Sequence, residues 1–319
     1  MTVRLFYYCG ENPQPTGGNK IVYRHVDLLA QAGFDAWVYH PTDHFAYSGL
    51  VGQPRIVGPS TIVARRCDLF VLPEDAGPGM AVFASGMRKL IFNQNSYYTF
   101  RHFGLDPQVL PPYCCSDVIG ALVVSEDNRR YLQYAFPNLK CERLILSLNF
   151  DLFRFVPWGE KRRQIAYMTR KNEDDVAQVV KILASRARLS GWHLVPIQGL
   201  SEREVARVMG ESRLFLAFGH PEGLSLSNLE ALACGCRIIG YSGRAGREYF
   251  DPTSSIEIEV GDILGFCEAV EDFITQSEFN EAEDALIAQK ASNFVRQVYS
   301  GACEQESVVS AMHRFLAAA

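Results

Sequence analysis

The sequence lacks the spacings and runs that would mark several protein classes. None of its nine cysteines belongs to a C-x2-C pair, so the usual structural zinc sites have no support. No apolar run approaches the roughly 18 residues that a membrane-spanning helix needs, and no signal-peptide pattern is recognisable. We therefore expect a cytoplasmic protein with reduced thiols and no transmembrane segment, and leave a peripheral contact with a membrane surface open.

Positive charge is also scarce. The 319 residues carry a net charge of −5, made up of +1 over residues 1–150 and −6 over the remainder. A chain without a basic field offers little to the phosphate backbone of a nucleic acid or to an anionic membrane. Nucleic acid is therefore the less expected partner.

What the chain has is a regular alternation of apolar runs with loops and helical patterns. A polar stretch with Pro157 and Gly159 between residues 154 and 163 indicates a linker. We predict one domain over residues 1–150 and a second over 160–300. Strands are expected at Val3–Tyr8, Phe34–Tyr39, Asp68–Leu72, Lys89–Phe92, Ala121–Val124, Leu144–Leu148, Gln164–Met168, His193–Ile197, Leu214–Ala217 and Arg237–Gly240, with an edge strand at Ile256–Val260. The alternation predicts an α/β fold.

The stretch from Phe218 to Gly240 is the most informative part of the sequence. It predicts a strand, a loop broken by glycine and proline, a helix and a second strand. Ser227 is a suitable N-cap and Glu230 stands three residues on, which predicts a capping box. A loop that leads into a helix N-terminus offers free N–H groups to an anion. With Glu222 in that loop, a phosphate and polyol groups could be held there together.

The same stretch resembles a known family. Glu222 and Glu230 are separated by seven residues, and EGLSLSNLEALACGCRII is similar to the E-x7-E element of retaining nucleotide-sugar glycosyltransferases with the GT-B fold, family 4 in particular. Ser225 stands where a second glycine is usual and Ser227 where a proline is usual, and neither change removes a backbone donor. The resemblance is specific at residues 214–240 and only architectural over most of the chain.

The resemblance implies a fold and an activity. The fold is two Rossmann-like domains that face each other across a cleft, an acceptor-side domain and a nucleotide-sugar donor domain, with a C-terminal helix (about 303–319) that packs back on the first. The activity is transfer of a hexose-type sugar from a nucleoside-diphosphate donor with retention of the anomeric configuration. The chain contains no Asp-x-Asp sequence, so we expect neither a metal nor another cofactor. The acceptor (glycan, lipid-linked or small molecule), the donor sugar and base, and the oligomeric state cannot be inferred.

The resemblance also implies a set of site residues. Glu222 would hold the donor sugar hydroxyls and His220 would lie beside it; these two are the candidate catalytic residues. The candidate donor-binding residues share a place at a strand end or a helix start: Arg170, Lys171, Glu230, Gly17, Gly18, Gly223, Leu224, Ser225, Leu226 and Asn95. Cations that follow a strand suit a diphosphate clamp, and Glu230 would bind the ribose hydroxyls.

One position departs from the family pattern. Many members carry a histidine at the strand end near residues 93–95, where this chain has Asn-Gln-Asn. We take Asn95 as the candidate that binds sugar hydroxyls, and leave open whether His102, in a later loop, takes the place of the histidine.

Three alternatives stay open. The first is a different chemistry on this fold, such as an epimerase or phosphorylase. The second is a nucleotide-sugar binding or regulatory protein without turnover, suggested by the missing histidine and the two serine replacements. The third is a DNA base as acceptor, against which the nearly neutral residues 1–150 argue. The loops at residues 41–60 and 95–115 would decide the acceptor.

Overall fold

A computed structural model describes residues 3–48, 50 and 52–317. The chain divides into two compact units, the first formed by Met1–Leu146 with Gly301–Ala319 and the second by Ser147–Ser300. Six residues (1, 2, 49, 51, 318 and 319) lie outside the described part. Of these, 49 and 51 belong to the predicted acceptor loop at residues 41–60, and 318 and 319 belong to the predicted C-terminal helix.

Each unit contains one parallel sheet. In the described part of the chain the strands are β1 (Arg4–Tyr8), β2 (Asp35–Tyr39), β3 (Ile56–Val57), β4 (Leu69–Pro73), β5 (Arg88–Asn93), β6 (Val118–Val123), β7 (Cys141–Arg143), β8 (Arg162–Met168), β9 (His193–Ile197), β10 (Ser212–Phe218), β11 (Arg237–Tyr241) and β12 (Ser255–Glu257). The first sheet has the order β3-β2-β1-β4-β5-β6-β7 and the second β12-β11-β10-β8-β9. Every adjacent pair runs parallel.

Helices connect the strands. They are α1 (Gly17–Gln31), α2 (Gly79–Val82), α3 (Glu126–Ala135), α4 (Glu173–Arg186), α5 (Glu202–Glu211), α6 (Leu226–Ala233), α7 (Ile263–Ser277), α8 (Glu281–Val298) and α9 (Gly301–Ala317). Short 3-10 helices lie at Glu74–Ala76, Ser96–Tyr98, Pro112–Cys114, Trp158–Glu160 and Ala245–Glu248. Since parallel strands need crossover connections, the carboxyl ends of the strands in each sheet face the loops that lead into helices.

The central strands are buried along their whole length, as their apolar sequences predict. All seven residues of β10 are buried, and Leu216 is fully inaccessible. Leu216 belongs to the same core cluster as Phe266 of α7 and Val179 of α4, so these two helices pack on the face of the sheet that carries Leu216. Truncating such a leucine to alanine typically costs about 2–5 kcal/mol.

The predicted strand at Leu144–Leu148 is wrong. The strand at this place is β7, which ends at Arg143. The alternate leucines 144, 146 and 148 are buried, but the backbone N–H of Ile145 donates to Ser307 Oγ of α9 at 2.9 Å. The backbone of Ile145 is therefore bound to a helix about 160 residues later in the chain, and not to a further strand.

The segment predicted as a linker is part of the second unit. Trp158 is 2% exposed, and the buried Lys161 donates from Nζ to the carbonyl oxygens of Met209, Gly210 and Ser212 at 3.2, 2.9 and 2.9 Å. These carbonyls end α5, where a cation is favourable. The polar composition of the segment thus reflects a helix cap, and the division of the chain lies earlier, after Leu146.

Candidate functional site

Two strands of the second unit bring the predicted charged residues together. β8 and β10 are neighbours in the sheet, so the segments that follow them leave the same edge. Asn172 joins these segments, because its Nδ2 donates to the carbonyl oxygens of Phe218 at 3.0 Å and Gly219 at 3.4 Å. It does so with φ 48° and ψ 51°, a left-handed conformation that asparagine tolerates better than most residues.

Lys171 and Glu222 form an ion pair at this edge. Lys171 Nζ lies 2.5 Å from Glu222 Oε2, with side chains 32% and 16% exposed. Arg170, the preceding residue, is exposed and makes no hydrogen bond or ion pair with any residue that the structure describes. One of the two predicted cations is therefore held on a carboxylate, and the other is available to a ligand.

The second carboxylate oxygen of Glu222 has no protein donor. Oε1 is buried and lacks a hydrogen-bond partner within the described residues, and a Cβ added at Gly219 would lie 3.3 Å from it. Tyr249 lies close enough for the Glu222 charge to act on it: burial, and then that charge, raise the pKa of the Tyr249 phenol well above its ordinary value. A buried carboxylate oxygen without a donor costs about 1–3 kcal/mol, which a ligand hydroxyl could offset.

The helix after this loop begins earlier than predicted. α6 starts at Leu226 and Ser225 is its N-cap residue, without a side-chain cap bond. The hydroxyls of Ser225 and Ser227 lie 3.3 Å apart instead, and Glu230 is the fifth residue of the helix. The predicted capping box of Ser227 and Glu230 is therefore wrong, because the buried Ser225 already has the extended backbone that enters the helix.

The new helix start still offers the expected donors. The first intrahelical bond runs from Leu229 N to Ser225 O at 3.4 Å, so the N–H groups of Leu226 and Ser227 are not used within the helix. Gly223 and Leu224 are buried, whereas Leu226 and Glu230 are half-buried. His220 is exposed, and its carbonyl oxygen would lie 2.8 Å from a Cβ at Gly243.

In the first unit, Gly17 and Gly18 are not in a loop. They are the first two residues of α1, capped by Thr16 with a reciprocal bond from Asn19. Helix starts of this kind expose N–H groups that suit an anion. A Cβ at Gly18 would lie 3.2 Å from Nε2 of Gln94, whereas at Gly17 the space is open.

The three residues at the end of β5 have different surroundings. Asn93 is fully buried and donates to Thr99 at 3.0 Å and Tyr113 at 2.8 Å. Asn95 accepts from Tyr97 N at 3.1 Å, which caps the following 3-10 helix, and its own N–H donates to Glu74 Oε1 at 2.8 Å.

Gln94 is the residue that the sequence did not single out. It is half-buried against Gly18, and its amide makes no hydrogen bond within the part of the chain that is described. His102 is exposed and lies beside Gly77. Asparagine and glutamine are both suited to sugar hydroxyls, so nothing in the sequence distinguishes Gln94 from its neighbours.

Two kinds of feature are absent from the described residues. None of the described helices is long and apolar enough to cross a membrane. No group of three or more histidine, cysteine, aspartate or glutamate side chains that could hold a metal ion occurs among those residues.

Comparison with known proteins gives the fold. No family model matches the chain. It is 28% identical over 306 residues, 88% of its length and 87% of the relative's, to an alpha-1,6-glucosyltransferase of Actinobacillus pleuropneumoniae serotype 7 (strain AP76). A glycosyltransferase from Rickettsia africae ESF-5 superposes with a TM-score of 0.71 at 11% identity, covering 99% of both chains. The chain has the GT-B fold.

A further GT-B neighbour was solved with ligands. HepE of Anabaena, in complex with UDP and glucose, has a TM-score of 0.63 at 11% identity and covers 99% of this chain and 100% of its own. Identities this low establish the fold alone. The α/β class with two Rossmann-like units is therefore confirmed, whereas the roles of individual side chains remain predictions.

Proposed function

We propose that this chain is a glycosyltransferase that moves a sugar from a nucleoside-diphosphate donor to an acceptor. The observation that carries the proposal is the Lys171–Glu222 ion pair beside the exposed Arg170, at the carboxyl edge of a parallel sheet. This edge is where open α/β sheets bind ligands. The similarity to an alpha-1,6-glucosyltransferase along 88% of the chain supports the same function.

The chemistry follows from where charge develops. Breaking the glycosidic bond leaves a growing negative charge on the diphosphate, so fixed positive groups lower the barrier. Arg170, Lys171 and the first N–H groups of α6 would supply them, and removal of one such donor typically costs 10²–10³ in rate. Glu222 Oε1, which has no donor within the described residues, would accept a hydrogen bond from a donor sugar hydroxyl. Glu230 would bind the ribose hydroxyls.

We propose retention of configuration without a metal. In this proposal Glu222 is a binding group and not a nucleophile, as the resemblance to retaining GT-B enzymes implies, and its Oε2 is held by Lys171 at 2.5 Å. The acceptor then attacks from the face of the departing diphosphate, which takes the acceptor proton. Gly17, Gly18, Asn95 and His220 remain predicted contributors, and a cytoplasmic location remains a prediction.

For the donor we propose UDP-glucose. The relative is named for glucose transfer, and UDP with glucose was bound to the GT-B neighbour HepE. The acceptor stays unassigned, with a glycan, a lipid-linked sugar and a small molecule as candidates. The likeness to transferases favours turnover over the alternative of a binding protein.

The test measures binding and turnover separately. Thermal unfolding is followed with UDP, GDP, ADP, TDP and their glucose conjugates, each with magnesium and with EDTA. A ligand at 100 times its Kd adds about 2.7 kcal/mol, a shift of several degrees. We expect a shift by UDP that EDTA leaves intact, and UDP release from UDP-glucose with a glycan acceptor pool.

The results of these measurements distinguish a retaining transferase from an inverting one and from a binding protein. The anomeric proton coupling of the product, measured by NMR, distinguishes retention from inversion. A UDP shift without sugar transfer to any acceptor, and without slow donor hydrolysis, would favour the binding protein. No shift with any nucleotide would contradict the proposal.

A further inference from the structure

The loop after β11 contains an arginine in an unusual backbone conformation. Arg244 has φ 69° and ψ −63°, and the N–H of Ala245 donates to the carbonyl oxygen of Gly243 at 2.9 Å. These values define a γ-turn with positive φ at its centre, a rare and strained turn for any residue with a Cβ. Glycine would adopt this conformation at lower cost. The glycine of this loop, Gly243, stands one position earlier, and Arg244 occupies the centre of the turn.

The turn contacts the predicted sugar-binding residue. The Gly243 carbonyl that closes the turn also accepts the backbone N–H of Glu222 at 3.1 Å. Glu222 and Arg244 form an isolated parallel β-bridge. The strained residue is therefore held directly beside the Lys171–Glu222 ion pair.

The guanidinium of Arg244 acts on the described residues through its charge: burial raises the pKa of the Glu257 carboxyl, and hydrogen bonds from Ser242 and Arg247 with the charges of Arg247 and Arg244 lower it overall. The side chain is exposed and makes no hydrogen bond or ion pair with the residues described. Two neighbouring side chains do make hydrogen bonds. Ser242 Oγ donates to Glu257 Oε1 at 2.6 Å, and Arg247 Nε donates to the same oxygen at 3.1 Å. Strain retained at a residue whose side chain is exposed and makes no hydrogen bond within the described residues indicates a functional requirement.

Charge balance indicates what that requirement is. Glu222 already compensates the charge of Lys171, so Arg170 is the free cation that follows β8. The diphosphate of a nucleotide sugar carries two negative charges, and a third develops as the sugar departs. A second exposed cation on the turn that is paired with Glu222 would match this charge, and guanidinium binds phosphate oxygens in a bidentate manner.

We propose that Arg244 is a binding residue for the diphosphate of the nucleotide-sugar donor, and that the γ-turn is retained because it presents the exposed arginine from a backbone that is paired with Glu222. The inference rests on the proposed function. It adds a cation from the loop after β11 to those that follow β8.

The decisive variant is Arg244→Gly, which removes the guanidinium and relieves the positive φ. We expect its Tm without ligand to rise, while the Kd for UDP weakens roughly tenfold or more and kcat with UDP-glucose falls. Arg244→Lys, which keeps a charge and the strain, should recover part of the affinity without the gain in Tm.

The matched control is Ala187→Gly. Ala187 has φ 53° at the C-cap of α4, roughly 20 Å along that helix from Asn172, and is exposed. Its replacement should raise Tm and leave UDP affinity unchanged. Calorimetric titration of UDP into each variant separates the two effects.

The results also separate this inference from the function on which it rests. If the wild-type protein binds UDP and Arg244→Gly binds it equally well, the inference is overturned and the proposed function stands. If the wild-type protein binds no nucleotide diphosphate, both are overturned. If Arg244→Gly loses Tm together with affinity, the arginine is structural and the inference fails.

Discussion

The predicted site residues have different roles at the carboxyl edges of the two sheets. In the second unit the predicted Lys171 and Glu222 contact each other at 2.5 Å, and Arg170 beside them stays open to solvent. In the first unit the predicted Gly17 and Gly18 are built into α1. Asn95 there caps a 3-10 helix. The same kind of prediction thus reached a pair of charged side chains in contact at one edge and groups with structural roles at the other.

Residue chemistry explains the difference. A charged side chain at a buried strand end is costly unless it meets a partner or a ligand, so its presence there is informative. An amide can satisfy a backbone N–H or a sugar hydroxyl equally well. Position alone therefore cannot show whether Asn95 or Gln94 faces a ligand, whereas the hydrogen bonds of each can.

The largest expected effect is at the charged edge. Arg170→Ala combined with Lys171→Ala should weaken UDP binding by roughly a hundredfold or more, because two charge-assisted contacts are lost. The singles should differ in stability: Lys171→Ala leaves Glu222 half-buried without its partner and lowers Tm, whereas Arg170→Ala does not. Calorimetric titration with UDP and thermal unfolding measure both.

The control for this pair is Lys181→Ala, an exposed lysine on α4 that should change neither quantity. Unaltered UDP affinity in the double variant would remove the diphosphate clamp from the proposal. It would also remove the contrast between the two edges.

A smaller effect is expected at the end of β5, where the side-chain amides of Gln94 and Asn95 should respond differently to substitution. Gln94→Ala should lower kcat/KM for UDP-glucose roughly tenfold with Tm unchanged, since its amide has no partner within the described residues. Asn95→Ala should lower stability by about 1 kcal/mol, as expected for a lost cap, and affect turnover less. Steady-state kinetics and denaturant unfolding of the two variants decide between them.

The opposite pattern would restore the original prediction. If Asn95→Ala lost turnover at unchanged stability while Gln94→Ala behaved as wild type, Asn95 would be the ligand-facing amide. The 3-10 cap at Tyr97 would then be incidental.

The sequence predictions were accurate where a structure depends on neighbouring residues, and less accurate where it depends on residues far apart in the chain. The predicted strand at Leu214–Ala217 lies inside the observed β10, because a strand buried on both faces is a continuous apolar run in the sequence. The start of α6 was misplaced because Ser225 and Ser227 are equally good caps. The run at 144–148 was mistaken for a strand because its partner, Ser307, is far along the chain.

The γ-turn at Arg244 could not be predicted for another reason. Local propensity argues against a positive φ at arginine, so the sequence indicates an ordinary loop. Only tertiary contacts, here the Gly243 carbonyl that accepts from Glu222, hold the residue there. Places where local preference fails in this way are expected near functional sites.

The smallest expected effect concerns pH at the edge of the first sheet. Glu74 follows β4, is 5% exposed and accepts the N–H of Asn95 at 2.8 Å. Burial raises the pKa of its carboxyl to about 8, so the fold favours the protonated form. A carboxyl raised in this way contributes stability that is complete below about pH 4.5 and is lost as pH rises through 8.

Replacement by a neutral isostere should remove this loss. Glu74→Gln keeps an acceptor for Asn95 and cannot ionise, so its Tm should exceed that of the wild type at pH 8–9 and match it near pH 5. The gain at high pH is on the order of a few kcal/mol at most. Thermal unfolding at pH 5, 7 and 9 measures it, with Glu306→Gln, an exposed glutamate of α9, as control. Parallel pH profiles for Glu74→Gln and wild type would show that Glu74 is ionised throughout, and that solvent reaches this edge of the sheet more than its burial indicates.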